Sequence, residues 1–484
     1  MKKIGLVLSC ILFVIALFAP LGCANDNAKR TAYTIECELV GNVLSGRERV
    51  DFYNSTENAI SELKFNLFGN AFREGAEYSA ISSQYTAQAY PEGINYGDIK
   101  IESVECEGDS VNFTVGGVDK NVLIVPLKKE VFPDERISVE IEFTLNLARV
   151  VARTGINTNT VNLANFYPIL CGIDKDGFYE CVYYTSGDPF FSDCADYGVT
   201  FTCDGNYVVA SSGKLVSVTE NSGKTTRTYQ IQSARSFALV LSSKFESITD
   251  SSTGTEITYY YYDDQNPLSS MEYAVKSLEF FSESYGEYVY PTYAVVQTEF
   301  VQGGMEYPAL VMISDSLEQG AYGEVIVHET AHQWWQTAVG NNEIEYGFLD
   351  EGLAEYSVVA FYERHLEYGM KRESMIASAE KTYKIFCSVS DKIFGTVNTV
   401  MLRSLKDFKS EYEYVNMAYI KPCIMYEYLR KSIGDETFFK GLRRYYQNYK
   451  FKNATPDDLV GAFEKVGANT NGFFDSFFNG KVII

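Results

Sequence analysis

The sequence predicts an α+β protein with two domains, a β-rich one followed by a mainly helical one. Between residues 32 and 246, short strand-like runs alternate with clusters of Gly, Asn, Asp and Ser, and no helical period of any length interrupts them. From residue 256 to residue 484, apolar residues recur mostly at helical spacing. We therefore expect an N-terminal antiparallel β-sandwich or saddle followed by a helical domain.

The first residues have the pattern of an export signal. Lys2 and Lys3 precede the apolar run 4–21, and Gly22-Cys23 follows it. Residues 1–23 are thus predicted to be a lipoprotein signal, with Cys23 lipidated after cleavage and serving as a membrane anchor. Pro20 stands where such signals usually carry leucine, so an uncleaved anchor helix is the alternative. The protein is expected outside the cytoplasm, on the cell surface or secreted.

The overall charge narrows the range of partners. The chain has 41 basic and 64 acidic residues, a net charge of −23, which argues against nucleic acid as a partner. Eight cysteines follow the signal without C-x-x-C spacing, so they do not form a second metal site. The sequence does not select disulfide pairs among them.

The predicted β domain has several clear strands. They are Tyr33–Leu39, Arg47–Tyr53, Asn121–Leu127, Arg136–Leu145 and Thr226–Ile231. A polar segment, Thr249–Thr255, is predicted to be the linker to the second domain.

The second domain begins with mixed elements. The order is a strand at Glu256–Tyr262, a helix near Leu268–Tyr285, a strand at Tyr293–Phe300 and an edge segment at 303–308. Near the end of the chain, Thr455-Pro456 has the pattern of a helix start, with a capping residue before proline.

The most informative stretch is H-E-x-x-H at residues 328–332. It lies in an apolar run, Glu324 to Ala338, that is predicted to be a helix. Residues four apart share one helix face, so His328 and His332 can bind one zinc ion, with Glu329 beside a metal-bound water. The chain's third histidine, His365, is predicted to lie on the surface.

A catalytic zinc site needs a third protein ligand. Glu351 lies nineteen residues after His332, at the start of a second predicted helix that runs to about Tyr368. A short connection would bring the two helices side by side. Asp350 is the alternative ligand, and Glu355, one turn further on, is expected to orient a ligand imidazole.

These motifs resemble the gluzincin zinc metallopeptidases of the aminopeptidase N (membrane alanyl aminopeptidase) type. The resemblance rests on H-E-T-A-H-Q-W-W at 328–335, F-L-D-E-G-L-A-E-Y at 348–356 and G-G-M-E-Y-P at 303–308. Segments such as L-S-G-R-E-R-V-D-F-Y-N at 44–54 are similar to the family's N-terminal domain. The resemblance implies a thermolysin-like catalytic domain over 256–484, in a compact form without the helical C-terminal domain of many relatives.

The resemblance also implies roles for single residues. One zinc ion per chain is expected on His328, His332 and Glu351, with Glu329 as general base and acid. Tyr419, in Tyr419-Ile420-Lys421-Pro422, is the expected oxyanion donor, and Tyr412 and Tyr414 are the alternatives. The backbone of Gly303, Gly304 and Met305 is expected to lie along the substrate, with Glu306 binding its free α-amine.

Three functions are compatible with these residues. The favoured one is a zinc aminopeptidase that removes N-terminal residues from peptides outside the cytoplasm. A zinc endopeptidase of the same fold is the second, because Tyr307 stands where the family usually has asparagine after the glutamate. A non-catalytic surface lipoprotein that binds peptides is the third. An intact Glu329 argues against this last reading, since a binder needs no general base.

Overall fold

The computed structural model describes residues 29–480. A β domain precedes a domain that contains one mixed sheet and most of the helices, which confirms the predicted α+β class. The predicted signal, 1–23, and its Cys23 lie outside the described residues. Among residues 29–480, no helix combines the length and the apolar character needed to cross a membrane.

The β domain is built from strands β1 to β18. They are β1 Ala32–Val40, β2 Val43–Tyr53, β3 Ile60–Asn66, β4 Asp98–Cys106, β5 Asp109–Ser110, β6 Thr114–Gly116, β7 Val122–Val131, β8 Arg136–Asn146, β9 Thr154–Ile156, β10 Val161–Ala164, β11 Ile169–Leu170, β12 Ile173–Asp174, β13 Gly177–Phe178, β14 Ala195–Asp204, β15 Val208–Ser211, β16 Lys214–Asn221, β17 Lys224–Ala234 and β18 Ala238–Ser242. All five predicted strands are confirmed, with ends that differ by a few residues.

Eight of these eighteen strands form one sheet with the order β16-β17-β14-β1-β2-β8-β4-β5. Two four-stranded sheets, β15-β18-β10-β9 and β11-β3-β7-β6, complete the domain together with the β12-β13 ribbon. Alternate residues of β1 are buried, as expected for a strand with one face on a core. The pairing is antiparallel, as predicted, apart from β1 and β14, which pair in parallel.

The second domain contains a five-stranded sheet with the order β19-β20-β21-β23-β22. Its strands, and the short pair β24 and β25, are β19 Glu246–Asp250, β20 Glu256–Tyr261, β21 Thr292–Thr298, β22 Gly304–Tyr307, β23 Leu310–Ser314, β24 Val339–Gly340 and β25 Lys452–Asn453. The predicted linker, Thr249–Thr255, is instead the end of β19 and the hairpin turn to β20, because Thr249 and Asp250 pair with Thr258 and Ile257 of β20.

Eleven α-helices are present in the described chain, and all but the first belong to the second domain. They are α1 Thr86–Ala89, α2 Pro267–Tyr285, α3 Gln319–Ala331, α4 Glu343–Tyr346, α5 Phe348–Arg364, α6 Arg372–Phe394, α7 Glu411–Val415, α8 Lys421–Ile433, α9 Asp435–Tyr449, α10 Pro456–Lys465 and α11 Phe473–Phe478. The start of α10 confirms the predicted cap, because Thr455 and Asp458 form a reciprocal capping box.

The helix that carries the histidines is shorter at its end than predicted. α3 ends at Ala331 rather than continuing to Ala338, and it begins before Glu324, at Gln319. The chain leaves the helix because Gln336 adopts a φ of 112° and β24 then pairs with β25. His332 still donates its backbone N–H to the carbonyl of His328 at 3.3 Å, so the two histidines keep helical spacing.

Candidate metal centre and substrate cleft

Three donor atoms converge where α3 meets α5. The two Nε2 atoms of His328 and His332 are 3.1 Å apart, and Glu351 Oε2 lies 3.3 Å and 3.2 Å from them. Bonds of about 2.0–2.1 Å to a tetrahedral zinc ion place its ligand atoms about 3.3–3.4 Å apart. The donor set and its spacing therefore fit a zinc ion, and the three predicted ligands meet at one point.

The charged groups around the three donor atoms favour a cation at this position. Burial alone would lower the pKa of His332, but the carboxylates of Glu306 and Glu351 raise it well above its ordinary value. Burial likewise opposes ionisation of Glu351, yet the two histidines lower its pKa to about 2. The site is thus built to stabilise a cation, which is the charge that a metal ion brings.

Each histidine has a partner on its second ring nitrogen. His328 Nδ1 lies 3.4 Å from Glu355 Oε2, as expected from the spacing along α5. His332 Nδ1 lies 2.9 Å from the carbonyl oxygen of Trp335, in the turn that follows α3. Such partners fix the ring orientation and leave Nε2 to the metal.

The alternative ligand, Asp350, is not one of the three converging donors. Its Oδ1 accepts a hydrogen bond from Asn341 at 3.0 Å, and its carboxylate groups with Glu306 and His332 rather than with His328. Burial raises the pKa of Asp350 to about 7, with a contribution from the neighbouring Glu351 carboxylate. The geometry favours Glu351 as the third ligand.

Glu329 lies beside the three donors. Its side chain is 5% exposed, and its Oε2 has no hydrogen-bond partner. Burial raises its pKa to about 7. Gly304 on β22 leaves room for this carboxylate, because a Cβ atom at Gly304 would lie 2.3 Å from Glu329 Oε1.

Glu306 lies on the free edge of the five-stranded sheet. β22 is the outermost strand, which confirms the predicted edge, and Glu306 Oε1 lies 3.9 Å from His332 Nδ1. This carboxylate oxygen is buried and has no hydrogen-bond partner. Burial raises the pKa of Glu306 well above its ordinary value. Gly303, Gly304 and Met305 line the same cleft, as predicted.

Tyr419 contacts the metal site directly. It lies on a π-helical turn, Asn416–Ile420, between α7 and α8, and its hydroxyl donates to Glu351 Oε1. Turns of this kind often occur at functional sites. Of the two alternatives, Tyr414 lines the cleft, whereas Tyr412 is 47% exposed and packs on Phe386.

The cleft has a volume of about 500 Å³ and includes residues to which sequence reasoning gave no role. Arg153 and Asp188 of the β domain form a 2.7 Å ion pair in its wall. Glu324 of α3 lies at its edge. No local pattern in the sequence indicated that Asp188 lines this cleft.

An arginine of the β domain supports the turn after α3 and was also missed. Arg235 donates from Nε to the carbonyl of Gln336 at 2.8 Å and from Nη2 to the carbonyl of Lys452 at 2.6 Å. The guanidinium is buried, and it holds the turn whose Trp335 carbonyl faces His332.

His365, predicted to be on the surface, is half-buried instead. Its ring packs on Phe361 with centroids 4.4 Å apart, and Nδ1 lies 3.1 Å from Glu367. It is a structural residue of the turn after α5, remote from the three donor atoms.

Two histidines and a glutamate on packed helices, with a free glutamate beside them, form the donor arrangement of the gluzincin class of metal centres. The model of the peptidase family M1 domain matches residues 269–477, which include every candidate ligand as well as Glu306, Glu329 and Tyr419. Residues 269–477 thus match this family, and the curated relatives of the chain include aminopeptidase N.

The curated relatives are distant and longer. Aminopeptidase N of Lactococcus lactis is 24% identical over 234 residues, which are 43% of this chain and 26% of that protein. The alanine/arginine aminopeptidase of Saccharomyces cerevisiae is 27% identical over 212 residues, 39% of this chain and 23% of that protein. This chain thus spans about a quarter of the length of these two relatives.

Solved structures share the whole described architecture. The M1 zinc metallopeptidase of Deinococcus radiodurans superposes with a TM-score of 0.67 at 16% identity, over 94% of this chain and 96% of that chain. A second structure, of a mutant of that protein bound to a Tyr-Ser-Ala substrate, gives a TM-score of 0.64 with the same coverage. At this identity the likeness shows a common two-domain fold.

Proposed function

We propose that this chain is a zinc-dependent aminopeptidase that removes N-terminal residues from peptides. The observation that carries the proposal is the position of Glu306, a buried carboxylate on an edge strand, 3.9 Å from a ring nitrogen of His332. A carboxylate there can bind a free α-ammonium and so place the first peptide bond next to the metal site. The named aminopeptidases among the relatives support the same activity.

His328, His332 and Glu351 would hold one zinc ion per chain. When bound, zinc supplies Lewis-acid activation of a water molecule and of the peptide carbonyl group. Glu355 and the Trp335 carbonyl keep the two imidazoles oriented through their Nδ1 atoms.

Glu329 moves the protons of the reaction. Its unpartnered Oε2 faces the cleft, so it can accept a proton from the attacking water and then deliver it to the leaving amine. A buried carboxylate is suited to both steps, because burial disfavours its charged form and eases the return of the proton.

Tyr419 is the donor for the carbonyl oxygen. Its hydroxyl donates to Glu351 Oε1, at the rim of the three-donor site, and the residue lines the cleft in which the substrate carbonyl would lie. A fixed donor at that position stabilises the negative charge that develops during attack. The substrate backbone can add to the free edge of β22, where Gly303 and Gly304 allow close approach.

The endopeptidase alternative rests on Tyr307, and the structure gives it little support. Strand alternation places Tyr307 on the opposite face of β22 from Glu306, where it is buried in an apolar cluster with Leu310 and Met312. Tyr307 is not among the residues that line the cleft, whereas Glu306 is. The non-catalytic binder is disfavoured by the buried, unpartnered Glu329.

The test is hydrolysis of one tripeptide with a free N-terminus and with an acetylated N-terminus, with and without a zinc chelator. We expect the free peptide to be cleaved after its first residue, the acetylated peptide to be cleaved at least about a hundredfold more slowly, and the chelator to stop both reactions. Equal rates on the two peptides would favour the endopeptidase. Activity that survives complete removal of zinc would contradict the metal-dependent function.

We also propose that the protein is exported and anchored by a lipid on Cys23. The support is the sequence pattern alone: two lysines, an apolar run and Gly22-Cys23. Mass spectrometry of the N-terminal fragment from membranes tests this, and Cys23→Ala should release the mature chain from the membrane fraction. An unmodified Cys23 in a membrane-bound chain would favour the uncleaved anchor helix.

A further inference from the structure

The direction of β22 determines where the rest of a bound peptide lies. At the start of the strand, a Cβ atom on Gly303 would lie 3.8 Å from Val325, in the middle of α3. At its end, Glu306 lies 3.9 Å from His332, just past the last residue of α3. A peptide whose α-ammonium binds Glu306 must therefore continue, after its first peptide bond, past His328 and toward the first turns of α3.

Two glutamates lie at that end of the cleft. Glu324 is one helical turn before His328 on α3, and Glu355 is one turn after Glu351 on α5. Both line the cleft, and the side chain of Glu355 is 29% exposed. The two carboxylates are close enough that Glu355 adds to the effect of burial in raising the pKa of Glu324.

No basic side chain neutralises this pair. Across residues 29–480, neither glutamate forms an ion pair with a lysine or arginine, and the single ionic neighbour of Glu355 is His328. The basic residue of the cleft wall, Arg153, is already paired with Asp188 at 2.7 Å. Glu351 would offset one of the two charges of a bound zinc ion, and Glu329 beside it would offset the other, so negative charge would remain on the two glutamates.

The walls between the two glutamates are apolar. Ala321, Val325 and Val358 line the same end of the cleft. The same cleft contains the three converging metal-ligand atoms and the unpartnered, buried Oε2 of Glu329, so this end opens onto a ligand-binding cavity and is not a solvated acidic surface. Apolar walls with carboxylates at the rim match a side chain with a long apolar stem and a cationic head.

We infer that Glu324 and Glu355 select peptides with lysine or arginine as the second residue, directly after the bond that is cleaved. The inference rests on the proposed aminopeptidase function and adds its substrate class. Glutamate or aspartate at that position would be repelled by the uncompensated carboxylates. A leucine would use the apolar walls and lack the ionic contact.

The experiment compares Ala-Lys-Ala, Ala-Leu-Ala and Ala-Glu-Ala as substrates of the zinc-loaded wild type. We expect kcat/KM to be at least about tenfold higher with lysine than with glutamate as the second residue. Glu324→Gln should lower this ratio at least about threefold, because it removes one of the two charges. Glu279→Gln, an exposed position on α2, changes the net charge equally and should leave the ratio unchanged.

Each ratio compares two substrates of the same protein preparation. Incomplete folding or incomplete zinc loading therefore lowers both rates equally and leaves the ratio unchanged. Cleavage of all three peptides with lysine-to-glutamate ratios within about twofold would overturn the inference while the aminopeptidase function stands. A strong lysine preference that persists unchanged in Glu324→Gln would also overturn it, since the selecting charge would lie elsewhere. Failure of the wild type to cleave any of the peptides would contradict the proposed function itself.

Discussion

Glu48 in β2 and Glu329 in α3 are 0% and 5% exposed, and both have carboxylate oxygens without a hydrogen-bond partner. Burial raises the pKa of both residues. Their surroundings differ. Glu48 lies in the core of the β domain close to Tyr33 and Tyr197, whereas Glu329 faces a cleft beside two histidines.

This comparison shows which observations distinguish a catalytic carboxylate from one that is merely buried. A buried carboxylate with a raised pKa occurs in both domains, so neither burial nor the pKa shift identifies a site by itself. What distinguishes Glu329 is a set of metal-ligand atoms at tetrahedral spacing and an open cleft next to it. Substitution should therefore have opposite consequences in the two regions: lost function at the cleft and gained stability in the β core.

The largest effect is expected when a ligand is removed. Glu351→Ala should abolish zinc binding, because two histidines alone do not hold a catalytic zinc ion firmly. Zinc per chain after gel filtration measures this, and Asp350→Ala is the matched control that should keep its zinc. Zinc retained in Glu351→Ala and lost in Asp350→Ala would transfer the ligand role to Asp350.

Glu306→Ala tests amine recognition. It removes one charge-assisted hydrogen bond in a buried setting, so kcat/KM on free peptides should fall about ten- to a hundredfold. Acetylated peptides should change little, and zinc content should be normal, since Glu306 is not a ligand. An equal loss on free and acetylated peptides would mean that Glu306 maintains the shape of the cleft and does not bind the α-ammonium group of the substrate.

Arg235→Met tests whether the β domain supports the metal site. The substitution removes the hydrogen bonds to the turn after α3, so zinc affinity should weaken about tenfold, measured by competition with a chelator. Arg227→Met removes a hydrogen bond to Tyr207 elsewhere in the β domain and should leave zinc affinity unchanged. The same zinc affinity in both variants would contradict a positioning role for Arg235.

Glu48→Gln should stabilise the fold, and increasingly so at higher pH. The pKa of Glu48 is raised on folding from its ordinary value of 4.5, so ionisation costs nothing below that pH. Above it, the cost to the wild type grows by about 1.4 kcal/mol per pH unit until the folded-state pKa is passed. Glu48→Gln removes the ionisable group, so the variant does not bear this pH-dependent cost.

Thermal unfolding of the two proteins between pH 4 and pH 8 measures the effect. The melting temperature of Glu48→Gln should rise relative to wild type as pH increases, whereas Glu36→Gln, at an exposed position on β1, should follow the wild type. A difference that is constant with pH would show that Glu48 is not a buried titrating group.

The convergence of His328, His332 and Glu351 could be predicted from the sequence because it depends on local spacing. Helical spacing defines the relation between His328 and His332, and turn residues between two helices bring Glu351 back to them. The strands of the β domain were predictable for a similar reason, since alternation of buried and exposed residues follows from the geometry of a strand.

The remaining features depend on contacts between distant residues. Residues 332–338 contain no glycine or proline and so suit a helix, but pairing of β24 with β25 and the hydrogen bonds of Arg235 bend them into a turn. The parallel pairing of β1 with β14 joins segments more than a hundred residues apart. The cleft position of Glu324 likewise depends on how α3 packs against β22.

The most direct test of the metallopeptidase function is Glu329→Gln, studied for zinc content and for peptide hydrolysis in the same preparation. The amide keeps the shape of the side chain but cannot accept a proton, so zinc per chain should equal that of the wild type while kcat falls by at least about a thousandfold. Near-normal hydrolysis in a fully zinc-loaded variant would contradict the assignment of Glu329 as the general base and, with it, the mechanism proposed for this cleft.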